Sequence, residues 1–465
     1  MRPLKRPPAP SSLSMFWNAL GTGDNAYPML FRLFQKYGDI VWLRGPGGGM
    51  YLVSNPAFIK HFLVDNAASN YPKNYMAPQR GIVLGASLST TEGAEWLRHR
   101  RMAQPGFQRD RLLASVPKIV KSIRGQLEER WEPKLRSGEP LEVFPAMSRL
   151  VVSTLGQLAC SEEFPDDVCE AVFQFMVYAV RPRTRVERSQ LPRKLMNLYY
   201  QRFQPQVLPA ARRIDTFAWE VVRRRMALAE QPDDMLGLMI NARDEKGEPM
   251  KEQEVRDEFV ELFFGGQVST GIALSFMWHL LALHPEVRER LVDEVDRTLN
   301  GREPTAEDLK QLRYVSQVFE ETLRLHPPAP GISRPAIKDD TLGGYDVPAG
   351  TMVSASSYVM HRHPEFWTDP ERFDPERFSA EKAQARPRFA YMPFGGGQRV
   401  CIGAMLASLI ATSASALVAQ RYRLEHVPGK KMRLMTGTTH FPANLWMKLL
   451  PARATAPDTS LRSVG

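Results

Sequence analysis

Cysteine is scarce: Cys160, Cys169 and Cys401 are the only three in 465 residues. They make no paired framework, and no CxxC or Cys/His cluster is present to hold zinc. That usage fits a reducing cytoplasm rather than a secreted disulfide scaffold. No Gly/Ser linker, low-complexity tract or fixed-period repeat divides the chain, so one domain is expected over residues 15–450. The ends, 1–14 and 451–465, are rich in Pro, Ser and charge and poor in core formers, and are expected to be disordered. The N-terminal residues lack the apolar run of a signal peptide or membrane span, so a soluble monomer without a membrane anchor is expected. The net charge of +10, from 61 Lys+Arg against 51 Asp+Glu, does not signal nucleic acid. The bases are interleaved with acids, and no zinc-finger or RNA-binding signature accompanies them. The charge suits an acidic protein partner or an acidic substrate instead.

What is present is a large stock of core residues, 43% hydrophobic. Residues 37–54 read as a β-hairpin, Ile40 to Leu43 and Tyr51 to Val53 about a Gly-Pro-Gly turn. From about residue 92 to 325 the apolar spacing is helical. One helix should run from Glu252 to Leu283 and stop at His284-Pro285. A second carries Val287, Leu291, Val295 and Leu299 at four-residue spacing and ends at Asn300-Gly301. A third should start at Thr305, capped with Asp308, and end before His326-Pro327-Pro328. Short strands and turns follow, then a small-residue helix over 402–420 and a terminal β-hairpin over 421–449. The outline is mainly α with small β-sheets.

The segment FGGGQRVCIG, Phe394 to Gly403, carries the strongest chemical signal. Its glycines allow backbone to approach a flat group closely, and the helix that follows would stabilise a thiolate at Cys401 through its dipole. Taken alone, a Gly-Cys segment is more simply a turn around a buried structural cysteine. A phosphate loop is excluded, because no GK[ST] follows the glycines.

The segment resembles the haem-binding signature of the cytochrome P450 family, Phe-x-x-Gly-x-Arg-x-Cys-x-Gly, matched by Phe394, Gly397, Arg399, Cys401 and Gly403. The resemblance implies haem b (iron protoporphyrin IX) with Cys401 as axial iron ligand, Phe394 beside the sulfur and Arg399 on a propionate. A thiolate ligand favours O–O cleavage. Three further motifs stand in the family's order. Trp96 and Arg100 match its Trp-x-x-x-Arg, implying propionate contacts. Glu321 and Arg324 match its Glu-x-x-Arg, and Arg377 in PERF supplies the third member of that structural network. Singly, each would read as ordinary packing, a surface ion pair or a solvated loop arginine. Arg334, in GISRPA, stands where the family places another propionate contact.

The long helix departs from the pattern. In FFGGQVSTGIAL, 263–274, Gly265 and Gly266 match, but Val268 replaces the usual acid and Ser269 the first Thr, with Thr270 following. By resemblance Ser269, Thr270 and Gly266 are the candidate catalytic positions. Ser269 retains a hydroxyl for bound oxygen; Val268 carries no proton. Leu84, Phe263, Phe264, Val268, Ala329 and Ile332 are the implied pocket lining, and RPRTRVER, 181–188, falls where the distal lid is expected. The reaction implied is insertion of one atom of O2 into an apolar small-molecule substrate. Electrons would come from a separate donor, a ferredoxin or flavodoxin with its reductase, docking near Arg98 and Arg101. Rival readings are P450-fold coupling, rearrangement or peroxide chemistry, and a haem-binding sensor without turnover. A Cys-nucleophile hydrolase lacks a placed His base.

Overall fold

The computed structural model describes residues 4–11, 27–45, 49–73, 83–180, 198–199, 202, 205, 207–436 and 439–452. In chain order the elements are α1 (Tyr27–Tyr37), β1 (Ile40–Leu43), β2 (Met50–Val53), α2 (Gly93–Ala103), α3 (Val116–Gln126), β3 (Leu141–Glu142), α4 (Val143–Cys160), α5 (Asp166–Val180) and α6 (Val207–Met226). There follow α7 (Glu252–Leu283), α8 (Pro285–Leu299), α9 (Ala306–Gln311), α10 (Arg313–Leu325), β4 (Gly331–Pro335), β5 (Met352–Ser356) and α11 (Ala404–Arg421). The last are β6 (Tyr422–His426), β7 (Arg433–Thr436), β8 (His440–Ala443) and β9 (Trp446–Pro451). Short helical turns and a small ribbon at 340–347 fill the intervals. The segment 181–188 lies outside the described residues.

The architecture is mainly helical with small sheets. The hairpin pairs Ile40 with Val53 and Leu43 with Met50, and it edges a four-stranded sheet ordered β1-β2-β5-β4. Pairing is parallel between β2 and β5 and antiparallel elsewhere. The helix α7 spans 32 residues, about 48 Å at 1.5 Å per residue. Its start is fixed by Glu254, whose carboxylate accepts the Lys251 amide at 2.8 Å, and it stops where Pro285 opens α8. It crosses the molecule against α4, and both belong to the apolar core. By length and composition α4, α7 and α11 could each cross a membrane, but 78%, 72% and 67% of their apolar windows are buried in this fold. Core packing accounts for that apolarity.

Two expectations need correction. The third helix is two: after the Thr305–Asp308 cap, α9 ends at Gln311, and Leu312 at ψ 62° breaks the run before α10. Glu294 explains the restart, since its carboxylate accepts the amides of Tyr314 and Val315, both at 2.9 Å. The terminal hairpin is also two pieces. β7 pairs with β8, whereas β6 pairs with β9, which also takes β3 on its other edge. Among the described residues, backbone bonds also reach positions 5, 8 and 452. Trp42 donates its amide to Pro8, Lys5 exchanges bonds with Asp346, and Ala452 donates to Arg421. Backbone groups satisfied against an existing sheet hold those segments despite their Pro-rich composition.

Candidate active site

The loop 394–403 is a chain of turns that ends at the N-terminus of α11. The Cys401 amide donates to the Phe394 carbonyl at 3.0 Å, and the Phe394 ring packs on the core cluster behind it. Gly397 has φ +69°, and a Cβ there would collide with the Leu63 carbonyl. This glycine is therefore required by protein packing, beyond any approach to a cofactor.

Cys160 and Cys169 are buried; Cys401 is exposed. Burial nevertheless dominates its surroundings, raising the thiol pKa against the Gly403 amide and the Arg100 charge. A side chain that is both deep and exposed faces an internal cleft. A cation bound at this sulfur would hold it as thiolate. Among the described residues no group of three or more His, Cys, Asp or Glu is placed to hold a metal. A metal ion carried by an organic cofactor, with one sulfur as its protein ligand, fits this set.

Arginines converge beside the loop. Arg399 donates to Glu92 at 2.6 Å and to the Thr91 carbonyl at 2.9 Å, with its guanidinium 4.0 Å from the centre of the Trp96 ring. Arg100 donates to the Val400 carbonyl at 3.2 Å, and the buried Arg334 to the Ser333 carbonyl at 2.8 Å. Burial lowers the Arg399 pKa, and the charges of Arg334 and Arg100 add to that against the pull of Glu92. Three guanidiniums close enough to repel one another suit a dianionic edge such as a pair of propionates. Sequence reading missed Glu92. It lies 307 positions from its partner, and nothing local signals the pair.

The middle of α7 faces two ways. Gly265 is exposed, and its carbonyl accepts the Ser269 hydroxyl at 3.2 Å, so these two residues share the open face. Gly266 does not. A Cβ on it would lie 2.9 Å from Leu155 Cδ1 of α4, and one on Gly271 would lie 2.8 Å from Ser148 Oγ. Gly266, a candidate catalytic position by resemblance, is required here by packing against α4, and α7 runs unbroken through it. Thr270, one turn on from Gly266 and 4% exposed, sits on the same α4-facing side.

The implied lining divides as well. Ala329 is exposed, and Ile332 is half-buried with its Cδ1 3.5 Å from where a Gly395 Cβ would be. Phe264 is half-buried and edge-on to Phe175. Leu84, Phe263 and Val268 belong to a buried apolar cluster, where Phe263 meets Phe164 and Phe259 edge to face. The contacts of Phe263 in this structure are those of a packed core residue. Of the docking arginines, Arg98 is bound by Asp244, Glu254 and the Pro249 carbonyl, and Arg101 pairs with Glu245. Arg98 is therefore not free to meet a partner.

Glu321 and Arg324 meet in a fully buried bidentate pair, with bonds of 2.6 and 2.8 Å. Arg324 also donates to the carbonyls of His361, Pro370 and Arg372. Arg377 lies 3.5 Å from Glu321 without a hydrogen bond from its Nε, and donates to the Asp369 carbonyl. His361 links this network to the segment before the loop. Its Nε2 accepts the Met392 amide at 2.9 Å, which makes Nδ1 the donor to the Arg324 carbonyl.

Known proteins share this chain's family and fold. The family model "Cytochrome P450" matches residues 7–447. A cyclooctat-9-en-7-ol 5-monooxygenase of Streptomyces melanosporofaciens is 31% identical over 92% of this chain and 91% of its own. Cyclooctatin synthase of the same organism is 29% identical over 91% of each chain. The crystal structure of the cytochrome P450DA heme domain superposes with a TM-score of 0.84 at 22% identity, over 97% of this chain and 99% of that one. The chain belongs to the cytochrome P450 family and is a haem-thiolate monooxygenase.

Proposed function

We propose that the enzyme inserts one oxygen atom into an apolar small molecule held between the Gly265–Ser269 face of α7 and Cys401. One observation carries the assignment: the cysteine that opens onto the internal cleft is the one in the glycine loop. The S. melanosporofaciens relative is named for a hydrocarbon alcohol, and we carry over that class alone. Haem b, held by Cys401 with Arg100, Arg334 and Arg399 at its acidic edge, supplies the dioxygen-activating redox chemistry when bound. The chain's own work is to fix the sulfur through the Cys401–Phe394 turn, keep the cleft apolar, and present the Ser269 hydroxyl. A separate acidic electron donor in the cytoplasm suits a chain with a net charge of +10 and no flavin motif.

The test is the reduced carbon monoxide spectrum. Wild type, Cys160→Ala and Cys169→Ala should show the red-shifted thiolate band, and Cys401→Ala should lose it. Burial pushes the Cys160 thiol up to about 12 and the Cys169 thiol up to about 11, so neither offers an accessible thiolate. A normal band in Cys401→Ala overturns the assignment. A screen for substrate-induced shifts of the haem spectrum would then identify the substrate class.

A further inference from the structure

Val268 leaves the helix without an acid beside Ser269, yet the same face carries a carboxylate two turns earlier. Glu261 comes one turn before Gly265, which comes one turn before Ser269, so the three form a slanted row on α7. The Glu261 carboxylate is oriented from across the cleft: Ser87 and Ser89 both donate their hydroxyls to its Oε2, at 3.0 and 2.7 Å. Its Oε1 is thereby turned toward Gly265, where an added Cβ would lie 3.4 Å from it. Gly265 is exposed, and its carbonyl already holds the Ser269 hydroxyl. The carboxyl group also lies near Cys401.

The loop presenting the two serines is rigid. Ala86 donates its amide to Asp257 at 2.8 Å, and Ser87, Thr90 and Thr91 close a turn of hydrogen bonds among themselves. Behind Glu261 the row continues outward. Glu258 is one turn away and 3% exposed, with the fully buried His99 of α2 2.7 Å from it through Nδ1. The other nitrogen of His99, Nε2, is buried without a hydrogen bond and points to Glu254 at 3.8 Å. Glu254 stands at the start of α7 with Arg98. Burial raises the Glu258 pKa, with His99 offsetting part of it. For His99, burial pulls downward, but the bond and charge of Glu258, together with the charges of Glu254 and Glu95, outweigh it and the net shift is upward.

We infer that Glu261 is the proton-supplying carboxyl of this enzyme, standing in for the acid that Val268 lacks and acting through Ser269. The inference rests on the monooxygenase reading above. In the step, the Glu261 carboxyl gives its proton to a water over Gly265, that water protonates Ser269 Oγ, and the serine's own proton passes into the cleft. The carboxylate left on Glu261 is reprotonated from the Glu258–His99 pair, which draws on solvent at the Glu254 end. Each turnover consumes two such protons together with the two electrons from the donor.

The test compares haem-loaded wild type with Glu261→Gln and Glu261→Asp. Glutamine can still accept the two serine bonds but carries no acidic proton; aspartate keeps the proton. All three should show the thiolate carbon monoxide band and bind substrate alike. Glu261→Gln should slow product formation roughly 100-fold, the low end for a lost acid–base group. It should also divert electrons to hydrogen peroxide and enlarge the solvent deuterium isotope effect, while Glu261→Asp recovers most of the yield. Independently of turnover, infrared spectra should contain a protonated carboxyl band that shifts in D2O and is missing from Glu261→Gln. Wild-type coupling and isotope effect in Glu261→Gln would overturn the relay. So would a loss confined to the affinity for cationic substrates, which would make Glu261 a substrate-binding group. Wild type that forms no oxygenated product would overturn the parent reading instead.

Discussion

Glu321→Ala is expected to cost most of the margin that keeps this enzyme folded. Glu321 and Arg324 are both fully buried, and Arg324 makes five hydrogen bonds, two of them to Glu321. The substitution strips those two and the Asp374 amide's acceptor, leaving a guanidinium in the interior with three carbonyls and no counter-charge. Breaking a buried pair on one side costs about 3–5 kcal/mol, against total stabilities of about 5–15 kcal/mol for folded proteins. Glu321→Gln keeps the shape and one acceptor, so it should fall between Ala and wild type. Urea unfolding followed by haem absorbance and far-ultraviolet circular dichroism reads the effect as a lower midpoint. Because the network anchors His361 and through it Met392, haem loss should coincide with unfolding. A haem-loaded Glu321→Ala with a wild-type midpoint would refute the argument, and would move the pair from architecture to chemistry.

Stability should also fall as pH drops below the ordinary histidine range. Burial pushes His361 and His440 down to about 3 and His279 down to about 4, so the unfolded chain takes up protons that the folded one refuses. Each such histidine contributes stability that is complete above about pH 6.5 and is lost at about 1.4 kcal/mol per unit below it. Urea midpoints from pH 7 to 5 should show that slope, and His361→Gln should flatten it by one histidine's share; a midpoint that rises on acidification contradicts this. Ser269→Ala should divert electrons to hydrogen peroxide, measured as product per electron, and unchanged coupling would remove that hydroxyl from the chemistry. Val268→Glu should not restore coupling, because Val268 is 6% exposed in an apolar cluster where a carboxylate lacks a partner. Its haem-loaded yield should drop.

Local signals in the sequence were legible. The hairpin at 40–53 and the limits of α7 follow from alternation, turn residues and Pro285, and the four motifs from residue type and spacing. What escaped was long-range or depended on facing. The break at Leu312 is set by Glu294, on another helix. Glu92 and Arg399 are brought together only by folding, as are His99 and Glu258. Neighbouring glycines look alike in a sequence although one faces the cleft and the other a packed helix. Phe263 reads as pocket lining by position, whereas its 0% exposure and two phenylalanine neighbours, Phe164 and Phe259, are those of a core residue.

Gly265 and Gly266 consequently offer opposite handles to anyone reshaping this enzyme. A methyl group at 266 meets Leu155, so tolerance there is governed by whether α4 can yield a few tenths of an ångström. Among the described residues a methyl at 265 meets Glu261 Oε1 alone, at ordinary contact distance, so the fold should accept it while the space above the helix shrinks. Selection for new substrates is therefore limited at position 265 by the need to keep the Glu261–Ser269 row open, and at position 266 by how far the Leu155 side chain can shift. Two adjacent codons would then evolve under different rules, one answering to the ligand and the other to its neighbour helix.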